Sequence, residues 1–119
     1  MDSHHIGKDF EQQALSYLKQ HGLSLVSQNF HSRQGEIDLI MTDGKCLIFI
    51  EVRFRKTATY GSAIESVTRQ KQARIIHTAQ VFLQQNSGSY FSYRFDVVAI
   101  NPGASQNEII WIKDAFQLG

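Results

Sequence analysis

The sequence predicts an α/β domain in which helices pack on a sheet, with the element order α-β-β-β-α-β-β. Two segments, one near the N terminus and one after residue 68, repeat their apolar residues with the spacing of amphipathic helices. Short apolar runs separated by turn residues lie between and after them, which is typical of strands. Of the 119 residues 42% are hydrophobic, and no linker divides them. We therefore expect a single domain over residues 1–119.

The first helix is predicted from about Ile6 to His21, with Gly22 as its stop signal. Glu11 lies beside the apolar stripe of this helix, so its carboxylate can reach the edge of the surface that the helix covers. A solvated surface glutamate is the alternative interpretation. A strand from Leu23 to Phe30 follows. The apolar stripe consists of Phe10, Ala14, Tyr17 and Leu18.

The next two strands are predicted to form a hairpin, because Asp43 and Gly44 separate two apolar runs. With these two residues at the tip, Asp38 becomes the diagonal neighbour of Glu51. Cross-strand diagonals are about 7–8 Å apart, close enough for two carboxylates to converge on one cation. One face of the hairpin is predicted to carry Glu36, Asp38, Glu51 and Arg53 together with Ile40, Leu47 and Phe49. The opposite face is predicted to carry Ile37, Leu39, Ile48, Ile50 and Val52.

The charges on this hairpin have two interpretations. In the first, they form the solvated face of an edge hairpin. In the second, they lie at the rim of a core, because apolar residues share their face. At a rim, an unpaired charge costs several kcal/mol, so a metal, a cationic side chain or protonation is expected to compensate it. Mg²⁺ is the metal expected for carboxylate and water ligands. Zinc is not expected, because Cys46 is the only cysteine and His4, His5, His21 and His31 are expected at the surface.

The second main helix is predicted from Thr68, its N-cap, to about Gln85. Lys71 lies one turn before Ile75, which places it on the buried side of the helix near its start. Before this helix, Ser62 and Glu65 have the spacing of a capping box, which predicts a short helical turn that opens at Ser62. The remaining strands are predicted at 94–100 and 109–113.

Composition limits the function classes. The formal net charge of +1 is too small for a generally basic nucleic-acid binder, so such a role needs a local patch. Cations at the end of the third strand and at the start of the second main helix are predicted to form a rim around the acids and to contact phosphates. An ordinary solvated charge run is the alternative. The candidate phosphate contacts are Arg53, Arg55, Lys56, Arg69, Lys71 and Arg74.

The polar N terminus does not resemble a signal peptide, and no apolar run reaches the roughly 18 residues of a membrane span. A single cysteine excludes an internal disulfide framework. We therefore expect a cytoplasmic protein that does not bind membranes.

With its elements placed, the chain resembles the PD-(D/E)XK nuclease superfamily and, more narrowly, the YraN family, which is similar to archaeal Holliday-junction resolvases. The resemblance implies a restriction endonuclease-like α-β-β-β-α-β core with a mixed central sheet flanked by helices. It further implies that Asp38 and Glu51 bind Mg²⁺ or Mn²⁺, that Glu11 is the helix-borne acid, and that a homodimer cleaves structured or branched DNA. The matching segments are Gly7 with Glu11, Ala14 and Leu18; 35–40; 49–53; Val67 with Lys71; and 94–98.

The chain departs from the superfamily pattern at Arg53, where the motif has lysine. An arginine stays charged, so it stabilises a phosphate but does not act as a general base. Lys71 is a candidate for the missing ammonium group. The alternative to a nuclease is a non-catalytic module that retains the fold and binds nucleic acid or a protein. A third interpretation is a purely structural role, in which Arg53 and Lys71 compensate the acids as an internal ion-pair network.

Overall fold

The computed structural model describes residues 3–55, 60–86, 90–103 and 105–117. Three helices and five strands form in these residues, which confirms the predicted α/β class. None of these helices combines the length and the hydropathy needed to cross a bilayer. The elements are α1 Ser3–Gln20, β1 Ser24–His31, β2 Glu36–Asp43, β3 Cys46–Phe54, α2 Tyr60–Glu65, α3 Arg69–Gln85, β4 Ser92–Asn101 and β5 Glu108–Phe116.

The short helix α2 differs from the prediction in where it starts. It begins at Tyr60, so Ser62 lies within the helix rather than at its N-cap. The cap predicted for α3 is confirmed, because the Thr68 side chain accepts a hydrogen bond from the backbone N–H of Lys71 at 3.1 Å. This cap fixes where α3 starts and hence where Lys71 lies relative to the sheet.

The sheet is mixed, with the spatial order β1-β2-β3-β4-β5. Strands β1, β2 and β3 form an antiparallel meander, and β5 is antiparallel to β4. Strand β4 is parallel to β3, which requires a long crossover, and α2 and α3 lie in that crossover. The predicted meander is therefore confirmed, and its third strand is at the centre of the sheet.

The predicted register of the hairpin is wrong by two residues. The turn contains Gly44 and Lys45, whereas the prediction placed Asp43 and Gly44 at the tip. Gly44 has φ 61°, the positive value required at the first position of a type II′ turn. Leu39 consequently pairs with Ile50.

A shift of two residues keeps side chains on their predicted faces, because the side-chain period of a strand is two. The positions that follow the Leu39–Ile50 pair are Asp38 and Glu51, which are thus opposite rather than diagonal. Ile37 departs from the prediction, because it belongs to the same hydrophobic cluster as Ile40.

Both faces of the sheet are covered by helices. The cluster beneath α1 contains Ala14, Leu15, Leu18, Leu23, Leu39, Met41, Ile48, Ile50, Val98 and Ile100. The cluster beneath α2 and α3 contains Ile37, Ile40, Leu47, Phe49, Ala63, Val67, Ile75, Ala79, Phe82, Phe95, Val97, Ala99, Ile112 and Phe116. Because β3 is buried on both sides, its charged residues near the C-terminal end are held at the boundary of a core.

Asp96 is a fully buried carboxylate away from this boundary. It accepts hydrogen bonds from the Arg94 guanidinium at 3.0 Å, from the Trp111 indole N–H at 2.9 Å and from the backbone N–H of Asp114 at 2.9 Å. Asp114 has φ 53°, and its N–H donates to Asp96 of β4. These contacts stabilise the charge and join β5 to β4, so we assign Asp96 a structural role.

Candidate functional site

Two carboxylates lie together where β2 and β3 separate. Glu51 is only 5% exposed, and Asp38 is partly buried beside it. Asp38 Oδ2 accepts a hydrogen bond of 2.8 Å from the backbone N–H of Val52, so this side chain is fixed against β3. Both acids line a cavity of about 120 Å³. The cavity is lined by Gln34, Gly35, Glu36, Asp38, Glu51, Lys71, Arg74 and Ile75.

Burial and mutual repulsion make these carboxylates hard to ionise. Burial, followed by the negative charge of Glu51, raises the pKa of Asp38 to about 8. Burial also raises the pKa of Glu51, although the nearby Lys71 and Arg53 oppose this increase. Such a pair of acids is favourable only with a cation or a proton between them.

Two cationic side chains lie near Glu51, one from α3 and one from β3 itself. Lys71 Nζ of α3 lies 3.5 Å from Glu51 Oε1, and Arg53 Nη1 of β3 lies 3.7 Å from the same oxygen. The Lys71 side chain is 41% exposed, so its ammonium group faces both Glu51 and solvent. The structure therefore brings Lys71 to the acids, as the apolar stripe of α3 predicted.

Arg53 is held by a residue that follows α2. Its Nε donates to Ser66 Oγ at 3.3 Å, and its Nη2 donates to the Ser66 carbonyl oxygen at 3.2 Å. Ser66 Oγ in turn donates to the Ala63 carbonyl oxygen at 2.7 Å, which fixes the hydroxyl. Two of the three guanidinium nitrogens are thus engaged within the protein, and the third faces Glu51.

Glu11 lies close to the pair but is not part of a three-acid cluster. Its Oε1 accepts a hydrogen bond of 2.9 Å from Asn29 Nδ2, and its charge contributes to the raised pKa of Asp38. Within the described part of the chain, no three His, Cys, Asp or Glu side chains come close enough to share a metal ion. The charge of Glu11 therefore acts on Asp38, although Glu11 does not line the cavity of the pair.

The donor set of Asp38 and Glu51 fits Mg²⁺. This ion is usually held by one or two carboxylates and retains several of its waters. The cavity beside the two acids has room for such waters, since its volume is about 120 Å³ and each water occupies about 30 Å³. A divalent ion between the acids would also remove the repulsion that raises the pKa of Asp38.

The other predicted phosphate contacts are distributed unevenly. Arg74 is exposed and lines the acidic cavity, whereas Arg69 lines a separate groove against the end of β5. Arg55 lies just after β3, and its buried Nε has no hydrogen-bond partner among the described residues. Lys56 lies outside the described residues. The cationic side chains at the acids are thus Arg53, Lys71 and Arg74.

Several residues of the site carried no role in the sequence prediction. Glu36 lines the cavity, and its charge contributes to the raised pKa of both acids. The sequence could have indicated this role, because Glu36 lies two residues before Asp38 and side chains at that spacing share one face of a strand. Gly35 lies against α3, where an added Cβ would make an ordinary van der Waals contact of 3.4 Å with Arg74 Cβ. Ser66 and Asn29 had no local signal, since both act through contacts distant in sequence.

A larger cavity lies elsewhere in the described part of the chain. It has a volume of about 960 Å³, between α1 and the segment before β5. Amide side chains dominate its lining, and Asn107 Nδ2 donates to Gln13 Oε1 across it at 2.9 Å. It contains no pair of carboxylates, so we place the candidate chemistry in the smaller cavity at Asp38 and Glu51.

Comparisons with known proteins give the family of the chain. Proteins named UPF0102 protein are similar over nearly the whole length: one from Nitrosococcus oceani is 47% identical over 94% of this chain and 91% of its own, and one from Pseudomonas fluorescens is 47% identical over 96% and 94%. Among solved structures, SfsA of Pyrococcus furiosus, in complex with Ca²⁺, is 12% identical with a TM-score of 0.35, over 94% of this chain and 64% of that one. The profile of the uncharacterised protein family UPF0102 matches residues 10–100. The chain belongs to the UPF0102 family.

Proposed function

We propose that this chain is a metal-dependent endonuclease that hydrolyses the phosphodiester backbone of structured or branched DNA. In this proposal the domain has the restriction endonuclease-like core of the PD-(D/E)XK superfamily and belongs to the YraN family that it resembles. It acts in the cytoplasm and uses Mg²⁺ or Mn²⁺.

The observation that supports the proposal is the pair Asp38 and Glu51. Folding forces two carboxylates into one small cavity, where burial and repulsion raise the pKa of both. A purely structural role does not require opposed acids, because an apolar pair of similar size avoids the cost of desolvation. A divalent cation explains why both acids are present.

Each residue of the site has a role in this chemistry. Asp38 and Glu51 would hold the metal, which when bound would supply positive charge at the scissile phosphate and lower the pKa of a water. Glu11 would accept a hydrogen bond from water beside Asp38. Lys71 places its ammonium group beside the phosphate, where it stabilises the developing negative charge. Arg53 contributes positive charge, and its contact with Ser66 keeps it fixed.

The proposed DNA contacts lie at the cavity and beyond it. Arg53, Lys71 and Arg74 lie closest to the acids. Arg55, just after β3, and Arg69, beside a separate groove, are the more distant members of the proposed set. Lys56 completes the proposed set from outside the described residues. Contacts with phosphates do not depend on base sequence, which suits an enzyme that recognises the shape of a junction.

A non-catalytic module that binds nucleic acid or protein is the second candidate. Two properties of Arg53 favour this module. Arg53 stands where the motif has lysine, and two of its three guanidinium nitrogens donate hydrogen bonds to Ser66. This alternative requires that another force retain the acids, such as an internal ion-pair network with Arg53 and Lys71.

A calorimetric titration with Mg²⁺ or Mn²⁺, with and without a four-way DNA junction, separates the two candidates. We expect the wild type to bind metal more tightly with DNA present, and Asp38→Asn/Glu51→Gln to bind none. Asp43→Asn/Glu65→Gln is the matched control, since both acids are exposed and lie outside the cavity. Metal binding without cleavage of a labelled junction supports the non-catalytic module. No metal binding by the wild type contradicts the endonuclease.

We also propose a homodimer, because two sites are needed to cut two strands of a junction. Sedimentation equilibrium at high protein concentration tests this, with a mass near twice 13.6 kDa expected. A mass of one chain at every concentration contradicts the dimer.

A further inference from the structure

Asn29 occupies an unusual position in β1. It has φ 52°, in the left-handed region, where asparagine is one of the few residues tolerated other than glycine. Residues within a strand ordinarily have negative φ, so the pairing of β1 does not explain this conformation. Its occurrence beside a group of acids suggests that the direction of the Asn29 side chain matters.

The register of β1 places Asn29 across from Asp38. Gln28 pairs with Leu39 and Phe30 pairs with Ile37, so Asn29 and Asp38 are the intervening positions on the two strands. From there the Asn29 amide crosses to α1 and donates to Glu11 Oε1 at 2.9 Å. Asn29 therefore connects the acid on the helix to the strand that carries Asp38.

Packing next to Glu11 also fixes α1 above the sheet. The Phe10 ring stacks on Phe54 of β3, with centroids 4.3 Å apart and an angle of 8° between the planes. This contact sets the position of the backbone at Glu11 but leaves its flexible side chain free to rotate. The hydrogen bond from Asn29 restrains the Glu11 carboxylate, whose charge acts on Asp38.

We infer that Asn29 is a positioning residue of the candidate site: its amide holds the Glu11 carboxylate beside Asp38, where Glu11 orients water on a divalent cation. The inference rests on the proposed function. Residues that orient metal-site groups through a hydrogen bond typically change metal affinity by about 10- to 100-fold when they are replaced.

Mn²⁺ binding, followed by electron paramagnetic resonance with the metal alone, tests this role. Asn29→Gly retains the freedom for positive φ but removes the amide, so we expect affinity for Mn²⁺ to fall about tenfold while Tm stays near that of the wild type. If Asn29 acts through Glu11, Asn29→Gly causes no further loss in a Glu11→Gln background. Asn107→Gly is the matched control, because Asn107 makes the same kind of hydrogen bond to α1 away from the acids.

The outcomes separate this inference from the proposed function. A loss with Asn29→Gly that is absent from Asn107→Gly and not additive with Glu11→Gln supports the positioning role. Equal binding by Asn29→Gly and the wild type overturns the role and leaves the metal site intact. Additive losses also overturn it, since Asn29 would then act independently of Glu11. No Mn²⁺ binding by the wild type overturns both proposals.

Discussion

At the scale of single residues, the site is defined by two carboxylates, Asp38 and Glu51, that lie side by side. They occupy the first positions beyond the last backbone pair of β2 and β3, Leu39 with Ile50, and one hydrogen bond from Val52 does not compensate the burial of Asp38. Lys71 and Arg53 offset part of the cost at Glu51. The protein thus retains a strained pair of acids whose protonation and metal binding are coupled.

The stability of the metal-free protein is expected to fall as pH rises from about 4 to about 8. Between the ordinary pKa of Asp38, 3.8, and its raised value of about 8, the folded state holds a proton that the unfolded state has released. Unfolding therefore releases protons, and a higher pH favours it. The raised pKa of Glu51 acts in the same direction.

Asp38→Asn tests this dependence, because an amide resembles the protonated carboxyl group. With EDTA present, we expect Tm of the variant to exceed that of the wild type by about 5 °C or more at pH 9 and to differ little at pH 4. Circular dichroism during heating measures Tm of both proteins at each pH. Asp43→Asn, an exposed acid on the same strand, is the control. Identical pH profiles for Asp38→Asn and the wild type would contradict the raised pKa.

Lys71 is expected to be the more important cation for cleavage. Its ammonium group is close to Glu51 and partly exposed, whereas the guanidinium of Arg53 is engaged by Ser66. Lys71→Ala should lower kcat for a DNA junction by about 100-fold or more, as the loss of one electrostatic contact to a transition state typically does. Lys19→Ala, in the last turn of α1 and outside the proposed contact set, should leave kcat nearly unchanged. Unchanged cleavage by Lys71→Ala would remove this role.

At the scale of elements, the start of α3 controls the site. Thr68 caps the helix, and the next turn carries Lys71 toward Glu51. The helix is also anchored to the loop before β2, because Ser32 Oγ and Thr78 Oγ1 lie 2.7 Å apart. Cap and anchor together position the two sides of the cavity.

Thr68→Ala is therefore expected to destabilise the fold and to loosen the site. Loss of an N-cap costs about 1 kcal/mol, which corresponds to a fall in Tm of about 4–8 °C for a domain of roughly this size. Thr68→Ser retains a capping hydroxyl and should keep most of the stability. Thermal unfolding compares the three proteins. Equal Tm values for Thr68→Ala and Thr68→Ser would show that the hydroxyl contributes nothing.

At the scale of the whole molecule, local sequence patterns predicted the features that depend on neighbouring residues. The alternation along β2 and β3 and the stripe of α3 predicted the meander, the covered faces and the convergence of Asp38, Glu51 and Lys71. The hairpin register was wrong because two turn types compete for one Asp-Gly-Lys sequence, and the choice depends on strand twist. The contacts of Ser66 and Asn29 span 13 and 18 residues, so no local pattern indicates them.

The charge distribution leads to a prediction for the complete protein. A net charge of +1 gives little general attraction to DNA, so affinity depends on the few cations around the cavity. If Arg53, Lys71 and Arg74 each contact one phosphate, the logarithm of the binding constant should fall with the logarithm of salt concentration with a slope of about −3. Arg74→Ala should reduce the size of this slope by about 1.

Fluorescence anisotropy with a labelled junction, in Ca²⁺ to prevent cleavage, measures the slope between 50 and 200 mM salt. Lys19→Ala is the control, since this residue lies in the last turn of α1 and carries the same charge. An equal change of slope for Arg74→Ala and Lys19→Ala would mean that DNA binds by net charge alone. A smaller slope for Arg74→Ala only would place a phosphate beside the acids, because Arg74 lines their cavity.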